Sequence, residues 1–128
     1  MKRLTVHPVL ASWLLLLYFD WLMRFGGFAA VREAVRKQET KCAPKRRDRD
    51  RELAHAADLA CVFYFKRVLC LQRSAALVVL LRHHGYQAEM IIGAQLLPFL
   101  SHAWVEVDGR VINDKPYITQ IFQALDRC

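Results

Sequence analysis

Three residues in the second half of the chain have the side chains that a nucleophilic hydrolase needs. Cys70 begins the apolar segment CLQRSAALVVLL, His102 begins the segment HAWVEVDGRVIND, and Asp114 ends that second segment. A cysteine thiolate can attack a carbonyl carbon, a histidine can transfer the protons, and a carboxylate can hold the histidine in one orientation. The three residue types together predict a cysteine hydrolase with Cys70, His102 and Asp114 as its catalytic triad.

Cys70 is predicted to lie in the first turn of a buried helix that ends near His84. Between Ala75 and Leu81 this helix is apolar on all sides, which is typical of a helix in the middle of a domain, and Gly85 follows as a terminator. The first turn of a helix has unpaired backbone N–H groups and the positive end of the helix dipole, and both favour a thiolate. The same N–H groups can donate to an oxyanion that develops on a substrate.

His102 and Asp114 are predicted to lie on two strands, His102 to Val107 and Arg110 to Asn113, joined by a turn at Asp108-Gly109. A three-residue loop with a glycine bulge would pair His102 directly with Asp114, within reach of a hydrogen bond. A two-residue loop would pair His102 with Lys115 and turn Asp114 to the opposite face. The triad hypothesis therefore predicts the bulged turn.

The remaining elements follow from hydrophobic periodicity and from the residues that start and stop helices. They are helices at Pro8 to Phe25 and Phe28 to Gln38 separated by Gly26-Gly27, a helix from a cap at Asp48 or Asp50 to about Lys66, a strand at Gln87 to Ala94, a loop at Leu96 to Leu100 and a final helix at Tyr117 to Leu125. This order predicts an α+β domain with N-terminal helices, a central helix and a small antiparallel sheet. A chain of 128 residues has room for a single domain, 1–128, with an N-terminal helical part at 1–45 and a catalytic part at 46–128.

The formal net charge of +7 does not indicate a nucleic-acid-binding protein. The basic residues are scattered or lie in one run from Lys45 to Arg51 with acidic residues between them, and no zinc-finger or RNA-binding signature accompanies them. The four cysteines include no CxxC pair, and Cys61 and Cys70 lie in apolar segments, which favours reduced thiols and a cytoplasmic location.

The start of the chain resembles a signal peptide, because Met1-Lys2-Arg3 precedes the apolar run from Val9 to Phe19. No small-residue cleavage site follows this run. Its 11 residues would cover about 16 Å of a bilayer core that is about 30 Å thick. These observations argue against membrane insertion and favour a helix that is buried or faces a partner.

Each member of the triad also has a plainer interpretation. Cys70 is compatible with an inert core thiol, His102 with a histidine bonded to the backbone at a strand end, and Asp114 with the start of a turn before Pro116. The adjacent His83 and His84 point apart on a helix, so we expect no metal site, and we expect no cofactor. The ensemble of Cys, His and Asp in a papain-like order, on a helix start and two paired strands, is more specific than any one residue.

The segments CLQRSAALVVLLRHHGYQAEMIIGA and HAWVEVDGRVIND resemble the transglutaminase-like cysteine proteases that act as leader peptidases in lasso-peptide biosynthesis. The shared pattern is a Cys-Leu-x-x-Ser helix start, a glycine-containing strand, a His-Ala-Trp strand start and an aspartate that ends the next strand. The resemblance covers Cys70 to Asp114 closely and the preceding helical region more loosely.

The resemblance implies a papain-like or transglutaminase-like fold with Cys70 as nucleophile, His102 as general base and acid, and Asp114 as the residue that orients the histidine. It further implies removal of the leader from a ribosomally made, post-translationally modified precursor peptide. The implied partners are that precursor, a separate small leader-recognition protein and a lasso cyclase, because the helical N-terminal half resembles the split form of the family. The alternatives are a transglutaminase-like acyltransferase or deamidase, and a non-catalytic subunit that binds a partner.

Overall fold

The computed structural model describes residues 7–40, 49–96 and 98–128. Its elements are α1 (Pro8–Lys37), α2 (Arg49–Phe63), α3 (Cys70–His83), β1 (Ala88–Leu96), β2 (Phe99–Val107), β3 (Arg110–Val111), α4 (Ile118–Ile121) and β4 (Gln123–Arg127). Within these residues, four strands form one antiparallel sheet in the order β3-β2-β1-β4, and the predicted α+β class is confirmed. The predicted cap at Asp48, together with Cys42 and the charged start of the chain, lies outside the described residues.

The helix that begins at Cys70 lies in the middle of the main core. α3 contacts α1, α2, β1 and β2, and its residues Ala75 to Val78 are at most 1% exposed. Because the helix is apolar on every side between Ala75 and Leu81, its neighbours can cover it completely without burying a polar face. Both predicted ends are confirmed within one residue, and Gly85 adopts a φ of 90°, as a left-handed terminator requires.

α1 consists of two helical segments that meet at a bend. Gly27 has a φ of 71° and a ψ of −167°, a conformation that a residue with a Cβ adopts only at a cost, so the predicted break at Gly26-Gly27 is confirmed. Beyond the bend, Val31 and Val35 are fully buried. By length and composition α1 is long and apolar enough to cross a membrane, and 17% of its most apolar 18-residue window is buried within the described protein.

Two predictions for the second half of the chain are wrong. The predicted loop at Leu96 to Leu100 consists largely of strand, because β1 extends to Leu96, β2 begins at Phe99, and these two residues pair. The predicted helix at Tyr117 to Leu125 is one helical turn, α4, followed by β4, which pairs with β1. The backbone of β4 hydrogen-bonds to the outer edge of β1, whose N–H and C=O groups would otherwise be unpaired. This stabilisation outweighs the helical preference of the local sequence.

Several element ends also differ from the predictions. β2 begins at Phe99 rather than at His102, and β3 ends at Val111 rather than at Asn113. α2 ends at Phe63 rather than near Lys66, and β1 extends to Leu96 rather than to Ala94. Asp50 does not cap α2 from outside, because it lies inside the helix, where its carboxylate is almost fully buried and accepts a hydrogen bond from Arg110 (3.1 Å). This contact attaches α2 to the start of β3.

Candidate active site

The turn between β2 and β3 is not the bulged turn that the triad hypothesis requires. Val107 pairs with Arg110 and Glu106 with Val111, so the loop contains only Asp108 and Gly109. Both residues are left-handed, with φ values of 52° and 79°, as in a type I′ hairpin turn. The predicted direct pairing of His102 with Asp114 is therefore wrong.

Asp114 nevertheless contacts His102, because the chain leaves the ladder before it reaches residue 114. The ladder of β3 ends at Val111, and the Ile112 N–H makes a further backbone bond to the Val105 carbonyl (3.0 Å). The side-chain oxygen of Asn113 then accepts the Val105 N–H (2.8 Å), in place of a backbone carbonyl. The backbone of Asp114 is therefore not paired in the ladder. The Oδ2 atom of the Asp114 side chain lies 2.5 Å from Nε2 of His102.

The His102 ring is held on several sides. Its Nε2 contacts Asp114, and its centroid lies 5.3 Å from that of Phe122 and 6.2 Å from that of Trp104. Gly93 pairs with His102 across β1 and β2, and a Cβ on Gly93 would lie 2.6 Å from the Trp104 ring. Only glycine leaves room for this indole. Because Asp114 engages Nε2, Nδ1 is the nitrogen that can exchange a proton with a nucleophile.

The Asp114 carboxyl is ionised at neutral pH. Burial raises its pKa, but the hydrogen bonds from His102 and from the Lys115 backbone N–H, together with the charge of Arg73, outweigh burial and bring the pKa below its usual value. An ionised carboxylate at Nε2 fixes the tautomer of the ring and stabilises an imidazolium. The pair can therefore act as a general base and its orienting group.

Cys70 is the first residue of α3 and is half-buried. Arg73 and Ser74 lie three and four residues further on, and hence on the same side of the helix. Arg73 donates to the Asn113 carbonyl (2.5 Å), and the Asn113 amide donates to Ser74 Oγ (3.4 Å). The start of α3 is thus joined to the residue that precedes Asp114.

The structure brings two of the three predicted residues into direct contact. Ala103 and Val105 pack in the core with α3, whereas His102 and Trp104 alternate with them and project from the other face of β2. Within the described part of the chain, the Cys70 thiol makes no hydrogen bond to the imidazole. The residues Asn113 and Asp114 link the two, since the first contacts α3 and the second contacts His102.

A buried polar network that the sequence did not reveal supports the start of α3. The side-chain oxygen of Gln72 accepts the Leu69 N–H (3.2 Å), and its amide donates to Asp20 of α1 (3.0 Å). Asp20 also accepts a hydrogen bond from Tyr64 (3.0 Å) and forms a salt bridge with Lys66 (2.7 Å). A glutamine three residues after a helix cap is a recognisable capping signal, but its partner on α1 is 52 positions away.

We expect Asp20→Asn to destabilise the protein by about 1–3 kcal/mol at pH 7, because Gln72 and Tyr64 lose a charged acceptor. Burial raises the pKa of Asp20, but Lys66, Tyr64 and Gln72 outweigh burial and lower it overall. A lowered pKa in the folded state gives stability that is present above the pKa of the unfolded chain and is lost as the pH falls through the folded value.

The gap in thermal midpoint between wild type and Asp20→Asn should therefore close in acid. Thermal unfolding followed by circular dichroism from pH 7 to pH 3 measures this gap. Glu33→Gln makes the same chemical change on an exposed position of the same helix and should shift the midpoint less at pH 7. A gap that stays constant down to pH 3 would show that the Asp20 charge does not contribute.

Two surface clefts meet at Asp58, which forms a salt bridge with Arg73 (3.1 Å). One cleft lies between α2 and the segment that follows β3, and the other lies beside the loop that leads to Cys70. Their basic lining residues are Arg51, His55, Arg67, Lys66, Arg73 and Arg110. In the segments 7–40, 49–96 and 98–128, no three His, Cys, Asp or Glu side chains are grouped so that they would bind a metal ion.

Comparisons with known proteins agree with this architecture. The chain is 31% identical over 101 residues to the microcin J25-processing protein McjB of Escherichia coli, an alignment that covers 77% of this chain and 48% of that protein. The chain thus spans about half the length of this relative. No solved structure matches the chain significantly. Residues 13–127, which run from α1 to β4 and include Cys70, His102 and Asp114, match the transglutaminase-like superfamily, and the chain belongs to that superfamily.

Proposed function

We propose that this chain is the leader peptidase of a lasso-peptide biosynthesis system and that it cleaves the precursor with Cys70, His102 and Asp114. The observation that carries the proposal is the hydrogen bond between His102 and Asp114 (2.5 Å). The residue before Asp114, Asn113, is bonded to Arg73 and Ser74 of the helix that begins at Cys70. The similarity to a protein named for microcin J25 processing supports a peptide substrate.

In this proposal the Cys70 thiolate attacks the carbonyl at the junction of leader and core peptide. Nδ1 of His102 takes up the thiol proton and donates it to the departing amine of the core peptide. Water then adds to the thioester with His102 as the base, and the leader leaves with a free carboxylate. For this reaction the Cys70 thiol and the His102 imidazole have to meet next to the segment that follows β3, where Asp114 contacts the imidazole.

The proposed setting is the cytoplasm, and the proposed partners are the precursor, a separate leader-recognition protein and the lasso cyclase. The clefts on either side of Asp58 have basic linings and lie beside the start of α3. A peptide with acidic side chains would find complementary charge there. Nucleic acid is not part of the proposal.

Reconstitution tests the proposal. The full-length protein is incubated with the precursor and the leader-recognition protein encoded in its gene cluster, and the products are analysed by mass spectrometry. We expect two fragments, a leader with a free carboxylate and a core peptide with a free amine. An added primary amine should not be incorporated, since incorporation would indicate an acyltransferase, and an intact precursor would contradict peptidase activity.

A further inference from the structure

One face of α1 carries an apolar surface that the rest of the described chain leaves largely exposed. We name this surface the α1 stripe; its seven side chains are between 40% and 71% exposed. Six of them recur at the three- and four-residue spacing of one helix face before the bend, and the seventh follows just beyond Gly27: Leu10, Leu14, Leu17, Tyr18, Trp21, Phe25 and Phe28. The opposite face carries Leu16 and Phe19, each 1% exposed. From Leu10 to Phe25 the stripe extends over about 23 Å.

The α1 stripe contains no charged side chain. Between Pro8 and Gly26 the only charged residues are Asp20 and Arg24, and Asp20 is bonded to Tyr64, Gln72 and Lys66 away from the stripe. Isolated apolar side chains are normal on a protein surface, whereas a continuous strip of this length marks an interaction site.

Exposed apolar residues and cations also lie beside α1. The Trp13 ring N–H donates to the Phe63 carbonyl (3.4 Å), so the end of α2 lies beside α1. Phe63 and Phe65 are about 70% exposed. Of the two cations that follow them in the chain, Lys66 forms the salt bridge with Asp20, and Arg67 is exposed. At the other end, the Arg24 guanidinium lies 5.9 Å from the centroid of the Phe25 ring. Apolar side chains with cations at their border are complementary to an anionic lipid surface.

We propose that the α1 stripe lies in the headgroup region of an anionic membrane, with α1 parallel to the membrane plane. This attachment goes beyond the proposed peptidase reaction and does not depend on it. The protein has a net charge of +7, which adds a long-range attraction to anionic lipid. The indole and phenol of Trp21 and Tyr18 suit the boundary between acyl chains and headgroups.

The contacts of α1 decide between lying on the membrane and crossing it. Crossing would remove Leu16 and Phe19 from the protein core, break the three side-chain contacts of Asp20 and place its charge in the bilayer. The bend at Gly27 also directs α1 back to the core, where Val31 and Val35 are buried. Lying in the interface requires none of these losses.

The chemistry of the stripe favours lipid over a protein partner. A protein interface carries about one hydrogen bond per 100–200 Å² in addition to its apolar contacts. The side chains of the α1 stripe offer only two hydrogen-bonding groups, on Tyr18 and Trp21. Acyl chains need no such groups.

Vesicle flotation with the full-length protein tests the proposal. We expect binding to vesicles that contain phosphatidylglycerol, and binding weaker by about tenfold to pure phosphatidylcholine or at 1 M salt. The variant Leu14→Gln/Trp21→Gln/Phe25→Gln should bind anionic vesicles more than about tenfold less tightly. The control Leu96→Gln/Phe99→Gln/Leu125→Gln removes three apolar side chains of the sheet that are 66–76% exposed, compared with 49–71% for the three stripe positions, and should bind as wild type.

Fluorescence reports whether the stripe itself enters the bilayer. Brominated acyl chains should quench bound wild type strongly and bound Trp21→Phe much less, because Trp104 is buried and Trp13 is partly covered. Equal quenching of the two proteins would overturn the proposal, as would a wild type that does not float or a control variant that also loses binding.

Two other occupants of the stripe would give their own results. If a second copy covers it, wild type does not float, and light scattering shows a dimer that the triple stripe variant converts to a monomer. If a protein partner covers it, wild type does not float, and the same variant loses binding of the purified leader-recognition protein. Either result overturns the proposal.

Discussion

Cys70→Ala should abolish cleavage of the precursor, with a fall in kcat of about 10³-fold or more, because the proposed acyl-enzyme forms on the Cys70 sulfur. The substitution removes one sulfur from a half-buried helix start, so circular dichroism and the thermal midpoint should remain close to wild type. The measurement is single-turnover cleavage of the reconstituted precursor, followed by mass spectrometry.

Cys61→Ala and Cys128→Ala are the matched controls for this prediction. Burial raises the pKa of the Cys61 thiol and of the Cys128 thiol, so both remain protonated and poorly nucleophilic at neutral pH. Both variants should cleave at the wild-type rate. Full activity of Cys70→Ala would identify Cys70 as the inert core thiol of the plainer interpretation.

Asp114→Asn should lower kcat by about 10²–10⁴-fold and leave KM nearly unchanged. Asparagine has the same shape and can still accept the Lys115 N–H (2.8 Å in wild type), but it cannot stabilise an imidazolium. His102→Ala should be at least as damaging. Because the two residues act as a unit, the double variant should be no slower than His102→Ala alone.

Asp108→Asn is the matched control, since it makes the same isosteric change on the same hairpin. Asp108 is left-handed, with a φ of 52°, and asparagine also adopts this conformation readily. This variant should retain wild-type kcat. If Asp114→Asn also retained wild-type kcat, the Asp114 carboxylate would only stabilise the turn before Pro116 and would have no part in catalysis.

The helix that carries the candidate nucleophile was predictable because its signals are local. Its apolar centre and the glycine at position 85 determine where α3 lies and ends, and Gly27 breaks α1 for an equally local reason. The class of fold followed from the order of these elements. Local signals are sufficient where the conformation of one or two residues decides the outcome.

The sheet was less predictable because strand pairing is decided by distant residues. Residues 123–127 form β4 only because β1 has a free edge, and a helical pattern in the tail contains no information about that edge. The contact between His102 and Asp114 was predicted for a wrong reason. It depends on the Asn113 side chain, which replaces a ladder bond and frees the next residue from the register.

The support for the start of α3 was likewise hidden in the sequence. Gln72 lies in a recognisable capping position, but its second bond goes to Asp20, on a helix that is remote in the chain. Polar partners of this kind are selected by packing in three dimensions, and no periodicity reveals them. The candidate catalytic residues were thus easier to predict than the residues that hold them in place.

Whether the Cys70 thiol reacts with the help of the His102 imidazole is tested most directly by an electrophilic substrate analogue. The reconstituted protein is treated with the leader peptide carrying a vinyl sulfone in place of the scissile carbonyl, and the labelled residue is mapped by tandem mass spectrometry. We expect a single adduct on Cys70, formed at least about 100-fold more slowly in His102→Ala. An adduct on Cys61 or Cys128, or labelling of Cys70 at the same rate without the imidazole, would contradict the proposed catalytic triad.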